Sequence, residues 1–212
     1  VLRVDGLEVS ITVDGAEVER QQVDDPLAFV ESFKARYRVP ELEHLPRFSG
    51  GLVGYFGYDT VAYIEPRLRN PAKPDPLGCA DILLMVSEEV VVFDNLSGRM
   101  YLIVHAELDR GDSYDQVQAR IDQLVEQMQR GAPRHRSQRH REVSESDFVS
   151  GFTEAGFKQA VDRIKQYILD GDCKQVVISQ RLSIPFAARP LDLYRALRGL
   201  NPSPYMYFLD LG

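Results

Sequence analysis

Tryptophan is absent from all 212 residues, and cysteine occurs twice. Cys79 and Cys173 are far apart in sequence and share no CxxC spacing. That argues against a thiolate metal knuckle or a disulfide framework and predicts two reduced, buried thiols, as in a cytosolic protein. Long apolar runs are missing too. No stretch approaches the roughly 20 residues needed to span a bilayer, so a membrane location is not expected. The opening Val1-Leu2-Arg3-Val4-Asp5-Gly6 has neither the apolar core of a signal peptide nor an initiator Met, and reads as a strand entered midway. Positive charge is not in excess: 25 Lys and Arg against 32 Asp and Glu leave a net charge of −7, which argues against a general nucleic-acid surface. What remains is ordinary for a globular chain. The hydrophobic share is 44% and the charged share 27%, enough to bury a sizeable core.

The pattern along the chain mixes strands and helices. Residues 1–23 alternate apolar and polar side chains around Asp5-Gly6 and Asp14-Gly15, which predicts a β-meander. Leu27, Phe29, Val30, Phe33 and Tyr37 have helical spacing, with Pro26 suited to the first turn, so a helix is expected over 26–38. Residues 48–59 read as a strand whose glycines mark close backbone approach or bulges, followed by a short helix through Val61 and Ile64. Four prolines make 66–80 a loop. Strands are expected over 81–86, 90–93 and 100–105, the last preceded by a turn at 94–98. Val117, Ile121, Leu124, Val125 and Met128 predict an amphipathic helix over 114–129.

Residues 131–150 change character. Arg134, Arg136, Arg139 and Arg141 stand with His135 and His140 among few apolar side chains, which predicts a solvated linker rather than a metal pair. It would separate a domain at 1–130 from another at 151–212. In the second region Thr153 is placed to cap a helix carrying Phe157, Ala160, Val161, Ile164, Tyr167 and Ile168. Strands are expected over 175–184 and 206–211, with a helix over 191–200 between them. The fold class is therefore α+β.

Two segments carry candidate chemistry. Within 171–181, the period of two places Gln175, Ser179 and Arg181 on one strand face and Val176 and Ile178 on the other. The polar face suits a carboxylated small molecule, although an ordinary half-exposed strand is favoured from spacing alone. The second segment is Asn201-Pro202-Ser203-Pro204-Tyr205-Met206-Tyr207-Phe208. Its prolines stiffen the backbone, and Tyr205 and Met206 suit a flat aromatic ligand. The glycines at 50, 51, 54 and 57 form neither GxGxxG nor a P-loop, so no phosphate cradle is expected. His44 and His105 are isolated.

These segments, with Gly50-Gly51-Leu52-Val53-Gly54-Tyr55-Phe56-Gly57-Tyr58-Asp59 and the stretch from Asp81 through Asp94, resemble the large subunits of anthranilate synthase, component I, of the Pseudomonas type. The glycine-rich stretch and the 171–181 stretch are shared by the wider chorismate-using family; the 201–208 run is more specific to the tryptophan-regulated member. The resemblance implies a β-rich regulatory N-terminal region and the start of a chorismate-binding domain of antiparallel sheets and helices.

It further implies a cytoplasmic lyase that converts chorismate and ammonia to anthranilate and pyruvate in tryptophan biosynthesis. The ammonia would come from glutamine through a partner amidotransferase subunit, in a hetero-oligomer. Mg²⁺ would hold the substrate carboxylate, with ligands outside these residues. L-Tryptophan would inhibit by binding at Asn201, Pro202, Pro204, Tyr205 and Met206. Gln175 would lie near the nucleophile position, where water-using relatives carry a lysine, since ammonia needs no activating base. The family's Leu-Leu-Glu-Ser segment and its metal-binding and catalytic C-terminal half are not found here, so the 212 residues alone are expected to be inactive. Two other readings remain: component I of aminodeoxychorismate synthase, and a non-catalytic tryptophan-sensing module.

Overall fold

The computed structural model describes residues 1–40, 42–68, 75–131 and 142–211. The predicted Arg-rich stretch, with its two histidines, lies outside the described residues. The chain divides into two compact units, Val1–Pro133 with Leu209–Gly212, and Arg134–Phe208.

The first unit is built on a five-stranded antiparallel sheet, in the order β3-β2-β1-β5-β4. Its strands are β1 (Leu2–Asp5), β2 (Glu8–Val13), β3 (Ala16–Gln22), β4 (Gly51–Phe56) and β5 (Ile82–Ser87). The first turn is Gly6-Leu7, directly after Asp5, and the second is the Asp14-Gly15 pair itself. Asp14 at φ 52° and Gly15 at φ 79° give the two left-handed positions of a tight β2–β3 hairpin. β1 sits between β2 and β5, with Leu2 opposite both Ile11 and Leu84, and Val4 opposite both Val9 and Ile82. Those six side chains share one face by the period of two. Helix α1 (Pro26–Lys34) covers that face with Val30 and Phe33, completing a cluster in which every member is buried.

Helix α1 begins where its chemistry directs. The Asp25 carboxylate accepts from the Leu27 and Ala28 amides at 2.9 and 3.1 Å, and Pro26 occupies the first turn. It ends at Lys34 rather than Arg38. The following amides of Arg36 and Tyr37 bond three residues back, to Phe33 and Lys34, which tightens the chain into turns. In β4, a Cβ on Gly54 would lie 1.9 Å from the Leu83 carbonyl oxygen. Only glycine lets these two strands approach so closely.

The hairpin of β6 (Glu89–Asp94) and β7 (Arg99–Val104) follows, turning where Asp94 accepts from the amides of Leu96 and Ser97. Helix α2 (Val61–Ile64) is the predicted short helix. Helix α3 (Tyr114–Arg130) packs along β7 and starts with a capping box between Ser113 and Gln116. Arg120 reaches from α3 to Glu89 with paired contacts of 2.5 and 2.8 Å.

The second unit holds α4 (Glu154–Asp170), α5 (Pro190–Leu200) and a two-residue pairing of β8 (Val149–Ser150) with β9 (Leu182–Ser183). Thr153 caps α4 by accepting from the Gly156 amide at 3.1 Å. Gly171, at φ 85°, ends it, with its own amide and that of Asp172 returning to the last-turn carbonyls of Ile168 and Tyr167. The strands expected over 175–184 and 206–211 are not formed, apart from Leu182–Ser183. The cause is hydrogen bonding: a strand exists only where a neighbour takes up its amides and carbonyls, and β8 offers two residues. Cysteine also departs from expectation. Both thiols are free, but Cys79 is exposed and Cys173 only partly covered.

Candidate functional site: the loop after α5 and the strand-like segment after α4

Helix α5 positions the 201–208 run. Pro190 fits its first turn, and the Arg189 guanidinium clasps Asp192 at 2.7 and 2.8 Å, which raises the arginine further above its ordinary pKa. The helix stops at Asn201, whose amide still donates to the Leu197 carbonyl at 2.9 Å. Pro202 and Pro204 have no amide hydrogen to continue the ladder. Beyond them the backbone is irregular. Tyr205 keeps 92% of its surface exposed and Tyr207 81%, while Met206 between them is partly covered. The Phe208 ring meets Tyr194 of α5 with centroids 5.9 Å apart. The run is thus held by the helix end on one side and an aromatic pair on the other, with the Tyr205 phenol presented to solvent.

Asn201, Pro202, Pro204, Tyr205 and Met206 come together as one loop, and all but Met206 are exposed. Gln175 lies elsewhere in the second unit, exposed, in the irregular stretch between Gly171 and β9. The near end of that stretch is tied through the Asp172 amide to α4 and the far end to β8, where Gln180 Nε2 donates to Ser150 Oγ at 2.8 Å and the Gly151 amide to the Arg181 carbonyl at 3.3 Å. The loop offers a flat ring and a polarizable thioether without enclosing walls. Such a surface can stack an aromatic ligand from one side.

Sequence reading missed a polar junction in the first unit. Asp81 Oδ2 accepts from the Gly6 amide at 2.8 Å and contacts the Tyr63 hydroxyl at 2.7 Å, while that hydroxyl lies 2.6 Å from the Gly6 carbonyl. The Asp81 backbone joins Val4 and Gly57 at 2.9 and 2.7 Å. Nearby, Tyr55 donates its hydroxyl to the Ala80 carbonyl at 3.0 Å, and burial pushes its pKa up. The available signal was a lone aspartate opening the apolar run 82–86. His105, unassigned from sequence, sets Nε2 2.7 Å from the Ser49 carbonyl and fills the space where a Gly50 Cβ would stand. Each of these contacts ties backbone segments together.

The described residues do not fit a bound divalent metal, since no three of their His, Cys, Asp and Glu side chains gather where they could hold an ion. Among them, no helix is long and apolar enough to cross a membrane.

Comparison with known proteins gives a consistent result. A family model described as chorismate binding enzyme matches residues 4–212. Anthranilate synthase component 1 of Pseudomonas putida is 54% identical over 100% of this chain, which covers 43% of that relative. The protein of the same name from Pseudomonas aeruginosa is also 54% identical, with 44% of its length covered, and that of Neisseria gonorrhoeae is 47% identical, with 43% covered. The crystal structure of anthranilate synthase component I from Streptococcus pneumoniae superposes with a TM-score of 0.74 at 28% identity, over all of this chain and 47% of that one. The chain spans less than half the length of the curated relatives it matches.

Proposed function

The chain belongs to the chorismate binding enzymes, and we propose that it is part of an anthranilate synthase component 1. The observation that carries this reading is the 54% identity to the Pseudomonas putida enzyme over the whole of the chain. On this reading the complete protein converts chorismate and ammonia to anthranilate and pyruvate, with glutamine as the ammonia source through an amidotransferase partner. Any Mg²⁺ it uses is assigned to residues outside these 212, as the resemblance implies.

The role we assign to this chain's own residues is regulatory. Tyr205 and Met206 would pack against the indole of L-tryptophan, on a loop stiffened by Pro202 and Pro204 and positioned by Asn201. The exposure of Tyr205 supports this, since a ligand can reach it. Gln175 is assigned to the neighbourhood of the ammonia nucleophile.

The absence of tryptophan from the sequence makes one test direct. Indole emission from added L-tryptophan has no protein background, so binding reads out as a change in its intensity or anisotropy. A reading frame of the relatives' length should release fluorescent anthranilate from chorismate, ammonium and Mg²⁺, and L-tryptophan should suppress that release. Tyr205→Ala should weaken the inhibition at least about tenfold and leave uninhibited turnover unchanged. The 212-residue chain alone should release none. Chorismate consumption without anthranilate by the longer chain, or anthranilate from the 212 residues alone, would overturn the reading.

A further inference from the structure

Three Asp-Gly pairs are exposed, at Asp5-Gly6, Asp14-Gly15 and Asp170-Gly171. In each, the glycine carries no side chain to shield its amide nitrogen from the preceding carboxyl group. Two of the three pairs are held at both ends. The Gly6 amide donates to Asp81 Oδ2 at 2.8 Å, and the Arg3 guanidinium grips both Asp5 carboxylate oxygens at 2.6 and 3.2 Å. The Gly171 amide donates to the Ile168 carbonyl at 3.2 Å, and Gln166 Nε2 donates to Asp170 Oδ1 at 2.8 Å. The third pair is held at neither end. Among the described residues, neither the Gly15 amide nor the Asp14 carboxylate has a hydrogen-bond or ion-pair partner. Asp14 is also the one described residue other than glycine with a left-handed backbone, at φ 52°.

We propose that Asp14-Gly15 is a site of spontaneous isoaspartate formation, and that the conversion unfastens the edge strand β3. The Gly15 nitrogen attacks Cγ of the protonated Asp14 carboxyl. An N–Cγ bond forms, the Cγ–OH bond breaks, and the hydroxyl leaves with the amide proton as one water. The cyclic imide then takes up one water again. Addition at Cγ restores aspartate. Addition at the Asp14 backbone carbonyl frees the α-carboxylate and leaves the chain running through Cγ. Mass and charge are unchanged overall, and no oxidant or cofactor is needed. The two-residue turn now has one more backbone atom. The pairs Thr12–Glu17 and Val13–Ala16 lie directly beside it, and β3 has β2 as its only neighbour in the sheet. Nothing on its far side holds the register. The freed α-carboxylate, exposed on a turn, is the group an isoaspartate carboxyl methyltransferase recognises.

The test is to age the 212-residue chain at neutral pH and physiological temperature and to follow all three pairs in one peptide map. An endoprotease that cuts before aspartate skips isoaspartate, and isoaspartate methyltransferase with a labelled methyl donor counts the freed α-carboxylates. Isoaspartate should accumulate at Asp14 at least about fivefold faster than at Asp5 or Asp170, the factor for one hydrogen bond that must open first. In concentrated urea the three rates should converge. Asp14→Asn keeps the turn type and should convert faster, because an uncharged amide is attacked more readily than a carboxylate. Asp14→Gly also keeps the positive φ and should abolish label at this turn alone. Amides of 16–22 should exchange faster in the aged chain than in the fresh one, while those of β1 and β5 stay unchanged. Equal or slower conversion at Asp14 in the folded chain would overturn the proposal. So would a ratio that persists in urea, which would place its cause in local sequence rather than in the fold. Unchanged exchange over 16–22 in the converted chain would overturn the unfastening of β3.

Discussion

The two units use the same local devices and reach different ends. In each, a long helix starts at a side-chain cap: Asp25 for α1, Thr153 for α4. In each, apolar residues recur at helical spacing. In the first unit the α1 residues Val30 and Phe33 close over Leu2, Val4, Ile82 and Leu84, all buried. In the second, the apolar face of α4 is only partly covered and its Tyr167 and Ile168 remain 38% and 41% exposed. Amphipathic pattern and capping specify that a helix forms; a partner layer decides how much that helix stabilises.

The comparison breaks most visibly on core truncation. Ile82→Ala should cost the first unit about 3 kcal/mol, because it empties a fully buried site between β1 and β4. Leu200→Ala in the second should stay within about 0.5 kcal/mol in a urea titration. A similar cost for the two would show that the second unit is better covered than its exposure indicates. Removing a cap sharpens the contrast. Asp25→Ala and Thr153→Ala should each cost about 1 kcal/mol locally. Far-ultraviolet circular dichroism should show more helix lost with Thr153→Ala, since α4 has no buried face to hold it. Tyr63→Phe should cost about 1 kcal/mol by removing a hydroxyl from the Asp81 junction, read as a lower urea midpoint for the first unit alone.

The smallest effect is electrostatic. Arg120 holds the Glu89 carboxylate below its ordinary pKa, mainly through its hydrogen bond, which with a smaller charge attraction outweighs the opposing effect of burial. Both side chains are 39% exposed, so solvent screening keeps the pair's contribution small. A depressed carboxylate contributes its stability above the unfolded pKa and loses it as pH falls through the folded value. Glu89→Gln should therefore lower the first unit's stability slightly at neutral pH and leave it unchanged below the folded pKa, which flattens the acid limb by that same small amount.

Most of the first unit was legible in the sequence because its determinants are local. Asp-Gly turns, alternation through Leu2, Val4, Val9 and Ile11, and Pro26 set its elements within a residue or a few of where they stand. The helices α3, α4 and α5 were legible for the same reason. What failed was the strand at 175–184, whose existence depends on partners that spacing cannot supply. The loop at 201–208 was legible as a stiff aromatic run, but its exposure was not. The Asp81 junction stayed hidden because it joins residues as far apart as Gly6 and Asp81.

That separation has a consequence for synthesis. β1 is central in the sheet, yet one of its two neighbours, β5, begins at residue 82. At about 5–20 residues per second on the ribosome, β1 waits roughly 4–16 s before β5 is made. During that interval Leu2 and Val4 have β2 as partner but not β5, so a nascent chain stalled near residue 80 should be captured by hydrophobic-binding chaperones, and one stalled well past residue 130 should escape them.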